Sequence, residues 1–543
     1  MRTSFGIPLI VGMPLPQHRL APFVAEPFHF TWRSSGLEDD CQTKGEGRAS
    51  SVRHSICLPS RQAGTVTPFC PVHGAMLPWL GEGGIALVVI LTASATTIRR
   101  SPVVAKLGGM TWTMEDFCRG WLITGDTGSG KTRSGITPLL YQVFKNSPGW
   151  GGLCIDDKGL YWETLSEMAK HFGREKDLIL LQVRPDSPIS GWTPSHTFNL
   201  ASDRGIPFGT YAKFVVDTAS SLGQQGDKGF FKNQAQTHIV AGLELLYEID
   251  ADVTLENVYH LLLNQADVEE ALDDLASSEP TERRRLLDEH FRNRFLAQPP
   301  EQIGGVKETI ANYLQYFLTP EISDVFCAAE NTFDFSDIDR GKIICIAMPQ
   351  KFQTERRYVN TFLKMLFYTH VLRRFDKPKD ERRDDNLLIL WADEAQRFVT
   401  ASEDGMSDYN CGDVIREARA TLVAAAQSSS SFIPPLGREK ARVLALNLRN
   451  RMIFRAADEE GANDSADFLG KKKVIKKSWG YSGGKMSQNF SEQEEHKIKS
   501  HLLRGLPKHI AVLVHCDKGL KRTLLPPLEP SGKVSPWFRR KLF

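Results

Sequence analysis

Short apolar runs recur along most of the chain, at residues 122–124, 153–155, 178–183, 343–348, 387–392, 421–426, 451–455 and 510–515. The run 387–392, Leu-Leu-Ile-Leu-Trp-Ala, is continuously apolar rather than alternating. A strand that reads this way is buried on both faces, as strands are in a parallel sheet covered by helices on two sides. Helical stretches separate many of the runs, so the pattern predicts an α/β fold with a mainly parallel sheet.

One long stretch lacks the strand pattern. Residues 205–325 are rich in helix formers, among them Ile239-Val240-Ala241-Gly242-Leu243-Glu244-Leu245-Leu246, and Thr254 with Asn257 marks a helix start. This segment is expected to be an all-α domain inserted into a sheet domain made of residues 111–204 and 326–543. Residues 1–110 have no assignable fold. The first eighty or so are rich in Pro, Gly, Ser and His without a period. Residues 83–98 then form an uncharged run closed by Arg99-Arg100. That run is a candidate membrane segment, shorter than the ~20 residues a span takes, and a buried strand or helix explains it nearly as well.

Chemistry enters directly after the run 122–124. The sequence Gly125-Asp126-Thr127-Gly128-Ser129-Gly130-Lys131-Thr132 lies between a strand and a helix start, the context a phosphate-binding loop requires. Its backbone N–H groups and the following helix face phosphates, Lys131 reaches the β and γ oxygens, and Thr132 holds Mg²⁺. An NTP site of this kind needs carboxylates. The run 387–392 ends in Asp393-Glu394, where Asp393 would hold the Mg²⁺ and Glu394 would orient or deprotonate the lytic water. Alternation along the strand end would point the two carboxylates in different directions. The run 421–426 ends in Gln427, which at a C-terminal strand tip would lie in the ligand crevice as a γ-phosphate sensor.

With 543 residues, 41% hydrophobic and 24% charged, the chain is a folded globular protein of two or three domains. Its net charge of +2 hides an asymmetry, because residues 471–543 hold seventeen Lys or Arg against five Asp or Glu. Such a block suits nucleic acid or an anionic lipid surface. Trp479 and Tyr481 interrupt its densest part, so stacking and phosphate contact are both available there. The nine cysteines are scattered, and Cys154 and Cys345 fall inside strand-like runs, which argues for reduced, buried thiols. Cys41, Cys57, Cys70 and His73 are too irregularly spaced to argue for zinc.

The order of motifs resembles the type IV coupling proteins, the TraG/TraD-like ATPases of conjugation in the FtsK-HerA branch of RecA-type motors. The phosphate loop is followed by Cys154-Ile155-Asp156-Asp157-Lys158-Gly159, then Phe198-Asn199-Leu200, a helical insertion opening at Gly229-Phe230-Phe231, the Asp393-Glu394 strand, the Gln427 strand, and Leu446-Asn447-Leu448-Arg449-Asn450-Arg451. The resemblance covers residues 111–543. It implies a RecA-like P-loop fold and a hexameric ring at the cytoplasmic face of the bacterial inner membrane. Such a ring hydrolyses ATP with Mg²⁺ to move single-stranded DNA and its bound relaxase into a type IV secretion channel. It implies the roles given above for Lys131, Thr132, Asp393, Glu394 and Gln427. It further implies an arginine finger from the neighbouring subunit, for which Arg416 is preferred to Arg419, both expected on a helix leading into the Gln427 strand. Coupling proteins normally begin with two membrane helices, whereas this sequence offers only the run 83–98. Two other readings compete: a related ATPase that energises protein secretion or pilus assembly, and a docking module that binds nucleotide without hydrolysing it.

Overall fold

The phosphate-loop strand lies inside a nine-stranded sheet. The computed structural model describes residues 101–186, 191–223, 229–402 and 405–539. In chain order the strands are β1 (Val103–Leu107), β2 (Met110–Thr113), β3 (Trp121–Thr124), β4 (Gly151–Asp156), β5 (Leu178–Gln182), β6 (Ile343–Ala347), β7 (Leu388–Asp393), β8 (Ala420–Ala426), β9 (Asn450–Ile453), β10 (Lys471–Ser482), β11 (Lys485–His496), β12 (Ile510–His515) and β13 (Gly519–Leu524). The large sheet runs β13-β12-β9-β3-β8-β7-β4-β6-β5, parallel from β9 to β5 and antiparallel at β12 and β13. Each of the eight apolar runs forms a strand of this sheet. The fold is RecA-like α/β.

The continuous apolar pattern has its cause in two-sided burial. β3, β4, β6, β7, β8 and β9 are buried along their whole lengths, while the edge strand β5 is only partly so. Alternate residues serve opposite layers: Leu122, Leu153, Ile155, Leu390 and Ala424 join one core cluster, and Trp121, Ile123, Cys154, Trp391 and Val423 join the other. The second layer is closed by the helices Thr137–Asn146 and Tyr161–His171 through Leu139, Val143, Leu165 and Met168.

Among the described residues, no strand lies between β5 and β6. The helices there include Phe208–Ser221, Gly229–Glu248, Leu255–Leu263, Gln265–Ser277 and Pro300–Leu314. Thr254 caps the third of these, its hydroxyl accepting from Asn257 N at 3.0 Å. Ile239, Leu243, Val258, Val306 and Ile310 share one core with the sheet's first layer and with the long helix Gln353–Arg373. Among the described residues no helix is long and apolar enough to cross a membrane. The run 83–98 and the group Cys41, Cys57, Cys70 and His73 lie outside the described residues.

Inside the helical segment His238 and His290 meet ring to ring, Nδ1 to Nε2 at 3.0 Å. Burial pushes the His238 imidazole down from 6.5 to about 4, and the facing His290 adds to the effect. The unfolded chain therefore binds this proton more readily than the folded one between those values, so stability falls as pH drops through that window. Urea titrations from pH 7 to pH 4 are expected to lose up to ~3 kcal/mol from this group, and the slope is expected to flatten in His238→Asn.

Candidate nucleotide site

β3 ends at Thr124, and the loop that follows is pinned to the tips of both neighbouring strands. Gly125 N donates to Gln427 O at 3.2 Å, beyond β8, and Asp126 N donates to Arg455 O at 2.8 Å, beyond β9. Arg455 Nε returns a bond to Asp126 Oδ2 at 2.8 Å, and Ser129 donates from N and from Oγ to Asp126 O. Gly130 has φ +106°, a left-handed conformation that glycine adopts without strain. Gly125 is required by space, since a Cβ there would stand 2.6 Å from Ser129 Oγ and 2.7 Å from Phe454 Cβ. Thr127 and Gly128 form the outer turn of the loop. From Lys131 the chain coils, first as a π-type turn to Ile136 and then as the α-helix Thr137–Asn146. The loop amides and the helix start together form a nest for anionic oxygens.

The acidic couple lies against this loop. Lys131 Nζ is 3.4 Å from Glu394 Oε1, both side chains nearly buried. Glu394 has φ +55°, so it belongs to a left-handed turn after β7 rather than to the strand. The expected pleat alternation is thus corrected: the turn, with its conformational cost, sets the direction of Glu394 relative to Asp393. Gln396 Nε2 holds the other oxygen of Glu394 at 2.7 Å. Burial raises the Asp393 carboxyl above its ordinary range, Lys131 opposes this, and Glu394 adds to it. A buried carboxylate at this cost, with the Thr132 hydroxyl opening the adjacent helix, fits a hard divalent cation whose charge offsets the burial.

β4 pairs Asp156 opposite Asp393. The Asp156 carboxylate accepts from Leu160 N at 3.0 Å and Tyr161 N at 3.2 Å, so it caps the helix Tyr161–His171. Burial pushes its pKa up to about 6 against these bonds, with Asp393 adding to the rise. Asp157 is gripped by Arg357, Nε to Oδ1 at 2.6 Å, while the fully buried Arg356 donates to Asp157 O and Met348 O. These arginines, Arg455 and His509 are site residues that sequence reasoning missed. His509 N donates to Ser129 O at 2.9 Å, and its ring lies 2.8 Å from Ser134 Oγ, wedged under the loop by Trp537 and Phe538.

Gln427 sits at the exposed tip of β8 beside Gly125, on the edge of the sheet that carries the loop. Arg416 is exposed and lies ahead of β8, at the opposite edge, about 20 Å away along a seven-residue strand. It borders an open depression of about 560 Å³ with Arg119 and Arg449. The expected helix around it is absent: Ile415–Ala418 is a single 3₁₀ turn, ended by Arg419 at φ +54°. Arg419 is tied down by its guanidinium, which donates to Arg383 O and Asp385 O.

A parallel sheet with a phosphate loop at the carboxyl tips of its strands and an acidic couple against the loop lysine is the arrangement of a nucleotide-binding P-loop protein. Residues 410–517 match the family model of the type IV secretion-system coupling protein DNA-binding domain. Over that stretch the chain is similar to the type IV coupling proteins. The fold is similar to that of the bacterial conjugative coupling protein TrwBdeltaN70 in its unbound monoclinic form, with 17% identity, 81% of this chain and 91% of that chain covered, and a TM-score of 0.58. It is similar also to the plasmid coupling protein TrwB in complex with the ATP analogue ADPNP, at 16% identity, 80% and 91% coverage and a TM-score of 0.54. TrwB in complex with ADP and Mg²⁺ matches at 15% identity, 79% and 92% coverage and 0.52. No curated protein matches the chain in sequence.

Proposed function

We propose that this protein is an ATP-hydrolysing DNA translocase that couples a relaxase–DNA complex to a type IV secretion channel in conjugation. The observation that carries the reading is the 3.4 Å approach of Lys131 to Glu394, which joins the phosphate loop to a candidate base. A module that only bound nucleotide would have no use for that carboxylate, so turnover is favoured over docking. In this reading residues 125–132 hold the triphosphate, and Thr132 and Asp393 hold Mg²⁺. The ion, when bound, neutralises phosphate charge. Glu394 orients or deprotonates the water, and Gln427 senses the γ-phosphate. The TrwB complexes with ADPNP and with ADP and Mg²⁺ support ATP and Mg²⁺ as the ligands.

Arg416 lies too far from its own loop to serve it, so its role as finger belongs in the site of a neighbouring subunit, which a hexamer provides. The coupling-protein DNA-binding match over 410–517 favours DNA over a secreted protein as cargo. The cytoplasmic face of the inner membrane is where such a motor would work. ATP hydrolysis by the purified chain at low salt is expected to rise several-fold with single-stranded oligonucleotide and to lose that stimulation as salt is added. A rate indifferent to DNA at every salt concentration would remove the translocase reading and leave a motor acting on protein.

A further inference from the structure

β10 and β11 form a hairpin that leaves the sheet domain between the helices Glu459–Leu469 and Ser500–Arg504. Its root is fixed by Lys497 N donating to Gly470 O at 2.8 Å and by His496 Nε2 against Asp467 Oδ1 at 2.8 Å. Its tip turns through Gly483 and Gly484, at φ +58° and +78°, the left-handed pair that a tight two-residue hairpin turn requires. The register places Ile475 opposite Glu492, Lys477 opposite Phe490, Trp479 opposite Gln488 and Tyr481 opposite Met486. Alternate strand residues share a face, and so do cross-strand partners. Every large apolar side chain of the distal ribbon therefore falls on one face, and the other carries Val474, Ser478 and Asn489. Among the described residues nothing covers that face: Ile475, Trp479, Tyr481, Met486 and Phe490 are 60–79% exposed.

Charge distinguishes the two halves of the hairpin. At the root Lys473 pairs with Glu492 at 2.8 Å, and Lys476 and Lys499 pair with Glu495 at 2.8 and 3.0 Å. Lys473 and Lys476 of the lysine-rich run are therefore compensated within the protein. The distal stretch 477–490 contains two lysines and no Asp or Glu, and Lys477 Nζ stands 5.5 Å over the Phe490 ring. Exposed rings in a row, with the Lys477 cation beside them and no Asp or Glu between residues 477 and 490, complement stacked bases on an anionic backbone.

We propose that this aromatic face of the hairpin is a stacking platform for single-stranded nucleic acid, an inference that rests on the translocase reading and names where that cargo is held. The hairpin springs from the connection between the carboxyl end of β9 and the start of β12, which is the loop-bearing edge of the sheet, so the strand would be held on the side where ATP is bound.

The test uses the full chain and a fluorescein-labelled oligo(dT) 20-mer read by anisotropy. Trp479→Ala/Tyr481→Ala/Phe490→Ala is expected to raise Kd by roughly tenfold or more, since removing a stacked ring costs that much per base. Its salt dependence should be retained because the lysines remain. Trp479→Phe should keep tight binding but lose the quenching of tryptophan fluorescence by the oligonucleotide. Lys473→Ala/Lys476→Ala should change Kd by less than about threefold, as exposed, already paired charges do. If the triple variant binds like the parent while DNA still stimulates ATP hydrolysis, the platform is refuted and the motor stands. If the parent chain neither binds nor responds to DNA, the translocase reading fails and takes the platform with it. If the triple variant loses its oligomeric state in sedimentation while each subunit still binds DNA as before, the face belongs to a second copy of the chain.

Discussion

Lys131→Ala is expected to reduce ATP hydrolysis to background and to abolish nucleotide binding, because in the proposed site this lysine is the loop's cation for the β and γ oxygens. Glu394→Gln should behave differently. The amide preserves shape, and the loop loses the carboxylate that repels an incoming triphosphate, so nucleotide binding should be retained or tightened. Turnover should fall by about 10²–10⁴, the usual contribution of a positioned base. Fluorescent-nucleotide titration alongside phosphate release separates the two effects. Equal loss of binding in both variants would show that the 3.4 Å contact is a structural tie rather than part of the chemistry.

The second large effect concerns stability. Lys364, on the helix Gln353–Arg373, is buried with its Nζ 2.5 Å from Asp408 Oδ2, 2.6 Å from Phe398 O and 3.3 Å from Thr400 Oγ1. Tyr368 OH donates to the other Asp408 oxygen at 2.8 Å. Burial pushes the Lys364 amine down, and Asp408 opposes the shift. Asp408→Ala strands a cation without its counter-charge and should cost about 3–5 kcal/mol, a large part of a typical domain's stability. Replacing Lys364 and Asp408 together by Met and Leu should cost much less, since no charge is then stranded. Denaturant midpoints of the single and double variants decide the matter, and additivity would show that the pair is not coupled.

The eight sheet strands were legible because burial on both faces leaves an uninterrupted apolar signature. The ribbon β10–β11 and the edge strand β13 were not, for the converse reason. β13 has no buried residue, and the first half of β10 reads as a cationic tail because its neutralising glutamates lie on the partner strand. The loop and the Asp393-Glu394 couple were visible because each is contiguous. Arg356, Arg357, Arg455 and His509 are ordinary polar residues until folding brings them across as many as 380 positions to the loop or its acidic neighbour. The turn at Glu394 was equally hidden, since a glutamate gives no local signal for a left-handed conformation.

The phosphate loop is written early in the chain, but its braces are written late. Gln427, Arg455 and His509 hold residues 125–129, Leu528 N donates to Arg133 O, and Glu529 pairs with Arg133 at 3.0 Å. A nascent polypeptide emerging from the ribosome thus carries residues 125–132 long before it carries Arg455, His509 and Glu529, which fix the loop's shape. A product cut short before residue 455 therefore carries the loop without the bonds from Arg455 and His509 that set its shape.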